Sequence, residues 1–260
     1  MMFALRKTYC VGIVFISLML SVEISFAQVE KQTQTQQQVW LGYFNQTRFS
    51  KRWGMWLDLQ LRTKENFFTE FSQSIIRPGI TYYLSDATKL SAGYGYISHY
   101  PADNHAHVTQ PEHRPWQQVQ WHTKYSKLRT MQYLRLEERF RRKILNDSTL
   151  AEGYNFNFRV RYNFLLQVPF TSQPIKKGDF SFILNDEIHV NLGKQVLYNT
   201  FDQNRLFLGF AYHVNANDNL QFGYMNLFQQ LSAGNQYKMI HAARIFYFHN
   251  LDLRKKTANL

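Results

Sequence analysis

Arg135, Glu137 and Arg139 stand two residues apart in the run Gln132-Tyr133-Leu134-Arg135-Leu136-Glu137-Glu138-Arg139, and Arg159 and Arg161 repeat the spacing farther on. A period of two belongs to an extended strand, so each set shares one face. On that reading Glu137 lies between two guanidinium groups. Asn185, Glu187, His189 and Asn191 make a mixed polar ladder, followed by Asp202, Asn204 and Arg205. With Asp58, Arg62 and Arg77 on matching faces, these strands supply a candidate charge network: Asp58, Arg62, Arg77, Arg135, Glu137, Arg139, Arg159, Arg161, Glu187 and Arg205. A guanidinium fork suits the pairing of carboxylates inside an enclosed polar space. Two chemistries fit: an ion-paired plug, or an interior that binds or conducts small anions. The carboxylates are too few to neutralise all the arginines, which keeps the second open.

Other chemistry is thinner. Asp103, Asn104, His105 and His107, with Glu112 and His113, hold His-x-His spacing of the kind that binds zinc or copper, but no second fixed cluster completes a site, and a solvated loop is the expectation. There is no Gly-x-Ser-x-Gly elbow, no phosphate-binding glycine loop and no His-Glu-x-x-His. An envelope lipid hydrolase would have to use a pair such as Ser98 with His99. Gly93 and Gly95 read as room for a bulky neighbour on the next strand. No catalytic residue, metal or cofactor is assigned.

The elements that must hold these residues are strands. From Tyr154 to Phe164 every even position is apolar or aromatic, and positions 155 to 163 alternate with them as Asn or Arg. Trp53 to Arg62 and Arg205 to His213 follow the same rule. Pattern alone predicts eleven strands, near 38–48, 53–63, 71–84, 89–99, 114–124, 129–140, 154–166, 179–191, 202–213, 219–229 and 239–249. Turn chemistry joins several of them, as in Ser85-Asp86-Ala87-Thr88 and Asn215-Ala216-Asn217-Asp218. Longer loops are expected at 100–113, 141–153, 192–201 and 230–238. Nothing from 39 to 250 reads as a long helix.

Residues 1–27 read as a cleaved export signal: Arg6 and Lys7, an apolar run from Tyr9 to Val22, then Ser25-Phe26-Ala27. Residues 28–38 read as a flexible glutamine-rich leader, and 39–260 as one β-barrel domain. The chain carries 30 Lys and Arg against 18 Asp and Glu, a net charge of +12. Removing the signal takes two cations, one carboxylate and the single cysteine, Cys10, leaving 233 residues at +11. For an exported chain the basic surplus points to lipid phosphate rather than nucleic acid.

Alternation does not say which face is inside. A soluble periplasmic barrel would enclose the apolar face around an apolar ligand, whereas a membrane barrel turns that face to lipid. Arginines sit within strands while Lys51, Lys64, Lys89, Lys127, Lys143, Lys176, Lys177 and Lys194 sit in or beside turns, which suits an enclosed polar interior. Trp53, Tyr82, Tyr83, Tyr125 and Tyr212 gather near short turns, where headgroup-level rings belong. The expectation is an all-β, antiparallel up-and-down transmembrane barrel of about 12 strands (10–12). Because bacterial barrels have even strand numbers, 251–260 is a candidate for a short twelfth strand.

Several segments resemble the domain of unknown function 2490 family, in order along roughly 39–250. They are Ile76-Arg77-Pro78-Gly79-Ile80-Thr81-Tyr82, Ala92 to Tyr96, Glu112 to Gln118, Arg135 to Arg139, Arg159 to Tyr162, Asn185-Asp186-Glu187, Phe201 to Arg205 and Gly223 to Asn226. The resemblance implies an exported, outer-membrane β-barrel and brings no activity, substrate or catalytic residue. The resulting expectation is a non-enzymatic envelope protein, either a narrow anion-preferring pore or a structural component. Its partners are membrane lipid and a small anion.

Overall fold

The computed structural model describes residues 30–254 except 66, 103, 104, 172, 173 and 216. The expected export segment with Cys10 lies outside the described residues, as do 255–260. Eleven strands form a closed barrel: β1 (Gln32–Arg48), β2 (Trp53–Lys64), β3 (Glu70–Tyr83), β4 (Thr88–His99), β5 (Gln110–Lys124), β6 (Arg129–Asn146), β7 (Thr149–Pro169), β8 (Phe180–Leu192), β9 (Phe201–His213), β10 (Asn219–Gln230) and β11 (Gln236–Asp252). All eleven expected strands are present. Each consecutive pair is antiparallel, and β1 closes the wall by pairing parallel with β11, Gln32 opposite Gln236 through Arg48 opposite Asp252.

That parallel seam is how an odd number of strands closes. An up-and-down sheet of eleven brings its first and last strands together in the same direction, so no twelfth strand is required. The seam also corrects the expected leader: Gln32–Gln38 pair residue by residue with Gln236–Ala242. Their backbone groups find partners whatever the side chains, and the glutamine run has no apolar period to reveal it. Two expected loops are likewise partly strand. β5 starts at Gln110, and β6 and β7 continue to Asn146 and Thr149 through register shifts after Arg142 and Ile144.

The turns after odd-numbered strands (49–52, 84–87, 125–128, 170–179 and 214–218) share one end of the barrel, here the near end, with the end of β11. The start of β1 and the turns after even-numbered strands lie at the far end.

Strand alternation sorts the side chains sharply. Outward positions carry large exposed apolar groups, among them Met55, Ile76, Ile80, Leu90, Leu134, Leu136, Phe158, Ile188, Leu208 and Ile245. Inward positions carry buried charge: Asp58, Arg62, Arg77, Glu112, Arg114, Arg135, Glu137, Arg139, Arg159 and Arg161. An apolar sector also faces inward, where Trp40, Ile183, Phe207, Ala211, Met225, Leu227, Ile240, Ala242 and Phe246 pack together on β1 and β8–β11. The interior is therefore zoned, aromatic and aliphatic on one wall and charged on the other.

Gly93 does make room for a bulky neighbour. Trp116, fully buried, lies over Gly79 and Gly93, and a Cβ added at Gly79 would stand 2.6 Å from Trp116 Cζ2 and 2.8 Å from the Ala92 carbonyl. Trp116 in turn carries the Arg135 guanidinium 4.9 Å from its ring centroid, so the small residues set the depth of the charged layer. Gly79→Ala should destabilise the barrel by about 1–3 kcal/mol through overpacking. Trp116→Phe in the same chain should recover part of the loss, because the carbonyl remains in the way. Thermal unfolding of the two variants checks this; an unchanged Gly79→Ala protein would remove the ring from that role.

Candidate functional site

The charged wall is built around carboxylates, each reached by guanidinium groups from several strands. Glu137 on β6 has no solvent exposure. Arg161 Nη2 donates to its Oε2 at 2.8 Å, and Arg114 Nη1 stands 3.5 Å from the same oxygen. Arg135 Nη1 and Arg77 Nη2 lie 3.9 and 4.0 Å from Oε1. Pairing brings them together: Glu137 sits opposite Arg159 on β7 and Trp116 on β5, so the groups diagonal to it are Arg161 and Arg114.

Glu112, at the start of β5, is a second hub. It accepts from Arg114 Nη2 at 2.6 Å, Arg139 Nε at 2.7 Å and Arg141 Nε at 3.0 Å, and contacts His99 Nε2 at 2.8 Å. This corrects two expectations. Glu112 is not in a solvated histidine loop, because β5 reaches back to include it and turns it inward. Arg139 serves Glu112 rather than Glu137, because the longer cross-strand reach gives it a bidentate fit, with Nη2 3.1 Å from the second oxygen.

Glu187 forms a third hub, with Arg205 Nη1 at 3.1 Å, Arg161 Nη1 at 3.7 Å, His189 Nε2 at 2.7 Å and the Tyr133 hydroxyl hydrogen-bonded to Oε1. Asp58 accepts from Arg77 at 2.8 Å and Asp202 pairs with Arg159 at 2.7 Å. The ten expected site residues all lie on this inner wall. The expected network left out Glu112, Arg114 and Arg244, and His189 and Asp202, named in the polar ladder, were not counted in it. Parity along β5 carries the signal for the first two, since 110, 112, 114, 118 and 120 are all polar.

Five carboxylates (Asp58, Glu112, Glu137, Glu187 and Asp202) face nine enclosed arginines, and Arg141 and the buried Lys89 add further positive charge to the surplus. Among the described residues, Arg62 and Arg244 have no carboxylate within 4 Å. Arg62 bonds Gln60 and Gln73 and stacks 3.5 Å over Trp40. Arg244 bonds Asn185 and Gln221 and stacks 3.3 Å over Phe207. Neutral amides and aromatic faces thus take the place of missing anions.

The near half of the interior holds a cavity of about 800 Å³, lined by Asp58, Arg77, Arg161, Glu187 and Arg205 on one side and by Trp40, Phe44, Phe207, Met225 and Phe246 on the other. Asp86, Lys124, Ile175, Asn217 and Asn250 border it at the near end. There the Asp218 carboxyl is pushed up by burial, but hydrogen bonds from Asn215 and the Asn250 backbone outweigh this and hold it below its ordinary value. The Glu112 and Glu137 hubs occupy the far half.

The suggested Ser98–His99 pair is not a nucleophile and base. Adjacent strand residues point to opposite faces, and both His99 nitrogens are engaged, with Glu112 and with Gln73 at 2.8 Å. Ser181 and His213 do meet, Oγ to Nε2 at 3.0 Å, with Gln167 bonded to both. Among the described residues the histidine loop does not assemble into a ligand cluster. His105 Nδ1 bonds the Val108 carbonyl, and His113 faces outward among Tyr94, Tyr96 and Tyr154. Asp103 and Asn104 lie outside the described residues.

A family model described as "Protein of unknown function (DUF2490)" matches residues 37–238, most of the chain. An uncharacterized protein of Methylorubrum extorquens is 24% identical over 165 residues, covering 62% of this chain and 65% of that protein. The match thus spans under two thirds of the relative's length. No solved structure matches.

Neighbouring residues on β6 separate an enclosed carboxylate from an outward one. Glu137→Gln leaves Arg161, Arg114, Arg135 and Arg77 around a neutral group and should cost about 3–5 kcal/mol. Glu138→Gln, on the outer face with no partner among the described residues, should leave stability unchanged or raise it, since a lone carboxylate facing lipid is unfavourable. Unfolding in urea compares them, and equal effects would mean that the Glu137 cluster is hydrated.

Proposed function

We propose, on the premise that the chain belongs to the DUF2490 family of proteins of unknown function, that it is a structural β-barrel of a bacterial outer membrane with an ion-paired interior. The observation that carries this reading is the inverted distribution of side chains. A soluble barrel buries its apolar face, but here the outward positions are the exposed apolar ones and the inward ones hold buried Arg and Glu. Every strand has at least 12 residues, and about 9–11 tilted residues suffice to cross the hydrocarbon. With the sheet closed, no backbone edge is left for lipid to meet.

Aromatic pairs on the outer face support the same orientation. Near the near end, Trp53 meets Tyr82 at 5.0 Å between ring centroids, Phe180 meets Tyr212 at 5.1 Å, and Tyr43 stacks on Tyr247 at 6.2 Å. Toward the far end stand Tyr96 with His113 and Phe228 with Tyr237. Two such bands flank the apolar girdle of membrane barrels. Several outward polar groups satisfy one another: the Tyr162 hydroxyl donates to Gln132 at 2.6 Å and Asn204 to Asp186 at 2.7 Å. Glu138 has no partner among the described residues and is the outer-face group least suited to hydrocarbon.

An interior crossed by three carboxylate hubs is closer to a plug than to a channel. Any passage past them runs among surplus guanidinium groups, which repel cations and attract anions. The protein is therefore a sealed envelope element whose residual leak is small and anion-preferring.

Cysteines at 156, 158 and 160 should react with bilayer-confined maleimides and resist water-soluble ones in outer-membrane fractions, and Phe158→Lys should cost about 2–4 kcal/mol. Recovery of the protein in the periplasmic fluid, or labelling by the water-soluble reagent alone, would overturn the membrane reading. In planar bilayers the purified barrel should give small, intermittent, anion-selective conductance that rises in Arg159→Ala/Arg161→Ala. A large cation-selective conductance would contradict the plug.

A further inference from the structure

The near-half cavity joins two unlike surfaces. One wall is apolar and aromatic: Trp40, Phe44, Phe207, Met225, Phe246 and Phe248. Set into that wall is Arg244, which is 6% exposed. Its end nitrogens reach only neutral acceptors, Asn185 Oδ1 at 3.3 Å and Gln221 Oε1 at 3.1 Å, and its buried Nε has no partner. A guanidinium has five N–H donors, so most of this group's capacity is unused. An enclosed cation without an anion is costly, and Phe207 and Phe246, 3.3 and 4.8 Å from the guanidinium carbon, offset that cost only in part. Of the other arginines lining this space, Arg77, Arg135, Arg161 and Arg205 each have a carboxylate within 4 Å.

We propose that this cavity binds a single-chain amphiphile with an acidic head, its head on Arg244 and its acyl chain along the aromatic wall. The volume of about 800 Å³ lies within the roughly 300–1,000 Å³ of small-molecule sites, and its lining divides into a continuous apolar wall and a polar wall facing it. A free inorganic anion would leave the aromatic wall unused. A neutral lipid would leave Arg244 uncompensated. The cavity is bordered at the near end by turn residues, including Asp86, Ile175 and Asn217, which places its mouth there and the ion-paired hubs at its floor. The acidic head is a carboxylate or a phosphate, and both chemistries suit a guanidinium. The inference rests on the barrel interior, its assay rests on the proposed membrane insertion, and heat-dependent gel mobility in the discs separates a failure to insert from a failure to bind.

The test uses the full barrel in phosphatidylcholine nanodiscs, with palmitate and lysophosphatidic acid as probes and lysophosphatidylcholine and octanoate as comparisons. Saturable binding above that of protein-free discs is expected for one or both acids. The tighter of the two identifies the head, octanoate should bind less well than palmitate, and lysophosphatidylcholine should not compete. Arg244→Gln should weaken the acid by about tenfold or more, a loss of about 1.4 kcal/mol, at unchanged heat-dependent gel mobility. If that variant does not fold, the wild type alone decides. The carboxyl resonance of labelled bound palmitate should stay that of the ionised form to lower pH than in the bilayer, because an adjacent guanidinium favours the anion. Binding no greater than in empty discs, equal competition by lysophosphatidylcholine, an unaltered affinity in a folded Arg244→Gln, or bilayer-like titration would each overturn the proposal.

Discussion

A charge enclosed by a closed β-wall has to find its counter-charge inside that wall, and the interior of this protein is arranged by that requirement. The arginines that point inward outnumber the five carboxylates that meet them. Glu112, Glu137 and Glu187 can each serve several guanidinium groups because neighbouring strands deliver them from both sides at fixed register. Removing one hub would strand its partners, whereas removing one partner leaves a hub still served. The carboxylates are accordingly the sensitive members. Trp116, seated over Gly79 and Gly93, keeps Arg135 at the depth where it reaches Glu137.

The two halves of the lumen differ in what they can do. Toward the far end the Glu112 and Glu137 hubs interlock across β3 to β7, and such a network is stiff because no member moves without uncovering a charge. Toward the near end the β8–β11 and β1 wall turns apolar, and a cavity opens between it and the charged wall. Cations that lack carboxylates are held by aromatic faces and amides: Arg62, toward the far end of β2, on Trp40, and Arg244, in the cavity wall, on Phe207. Stiffness and the plug belong to one half, and ligand capacity to the other.

Much of this was legible in the residues and some was not. The run from Tyr154 to Phe164 reveals both a strand and its polar face, because a period of two survives any context. Every expected charged position did turn inward. Which carboxylate each arginine serves was not legible, since that depends on register: Arg139 is two residues from Glu137 in sequence yet serves Glu112 across the sheet. Glu112 was hidden by its histidine neighbours, and Arg244 by the apolar residues around it, Ala242, Ala243, Ile245 and Phe246. The glutamine run Gln32–Gln38 carries no periodic side-chain signal, because its strand is held by backbone pairing with β11. The parallel seam that lets eleven strands close has no local signature at all.

The orientation of the two faces is tested most directly by the tryptophans, which the wall divides. Trp53 is exposed on the outer face and Trp121 shares that face by strand parity, whereas Trp40, Trp56 and Trp116 are buried on the inner side. In vesicles of brominated phosphatidylcholine, the wild-type protein should lose the fluorescence of the outer pair, and Trp53→Phe/Trp121→Phe should be left nearly unquenched. Equal quenching of both proteins, or none of either, would contradict a barrel that turns its apolar face to lipid and its charges inward.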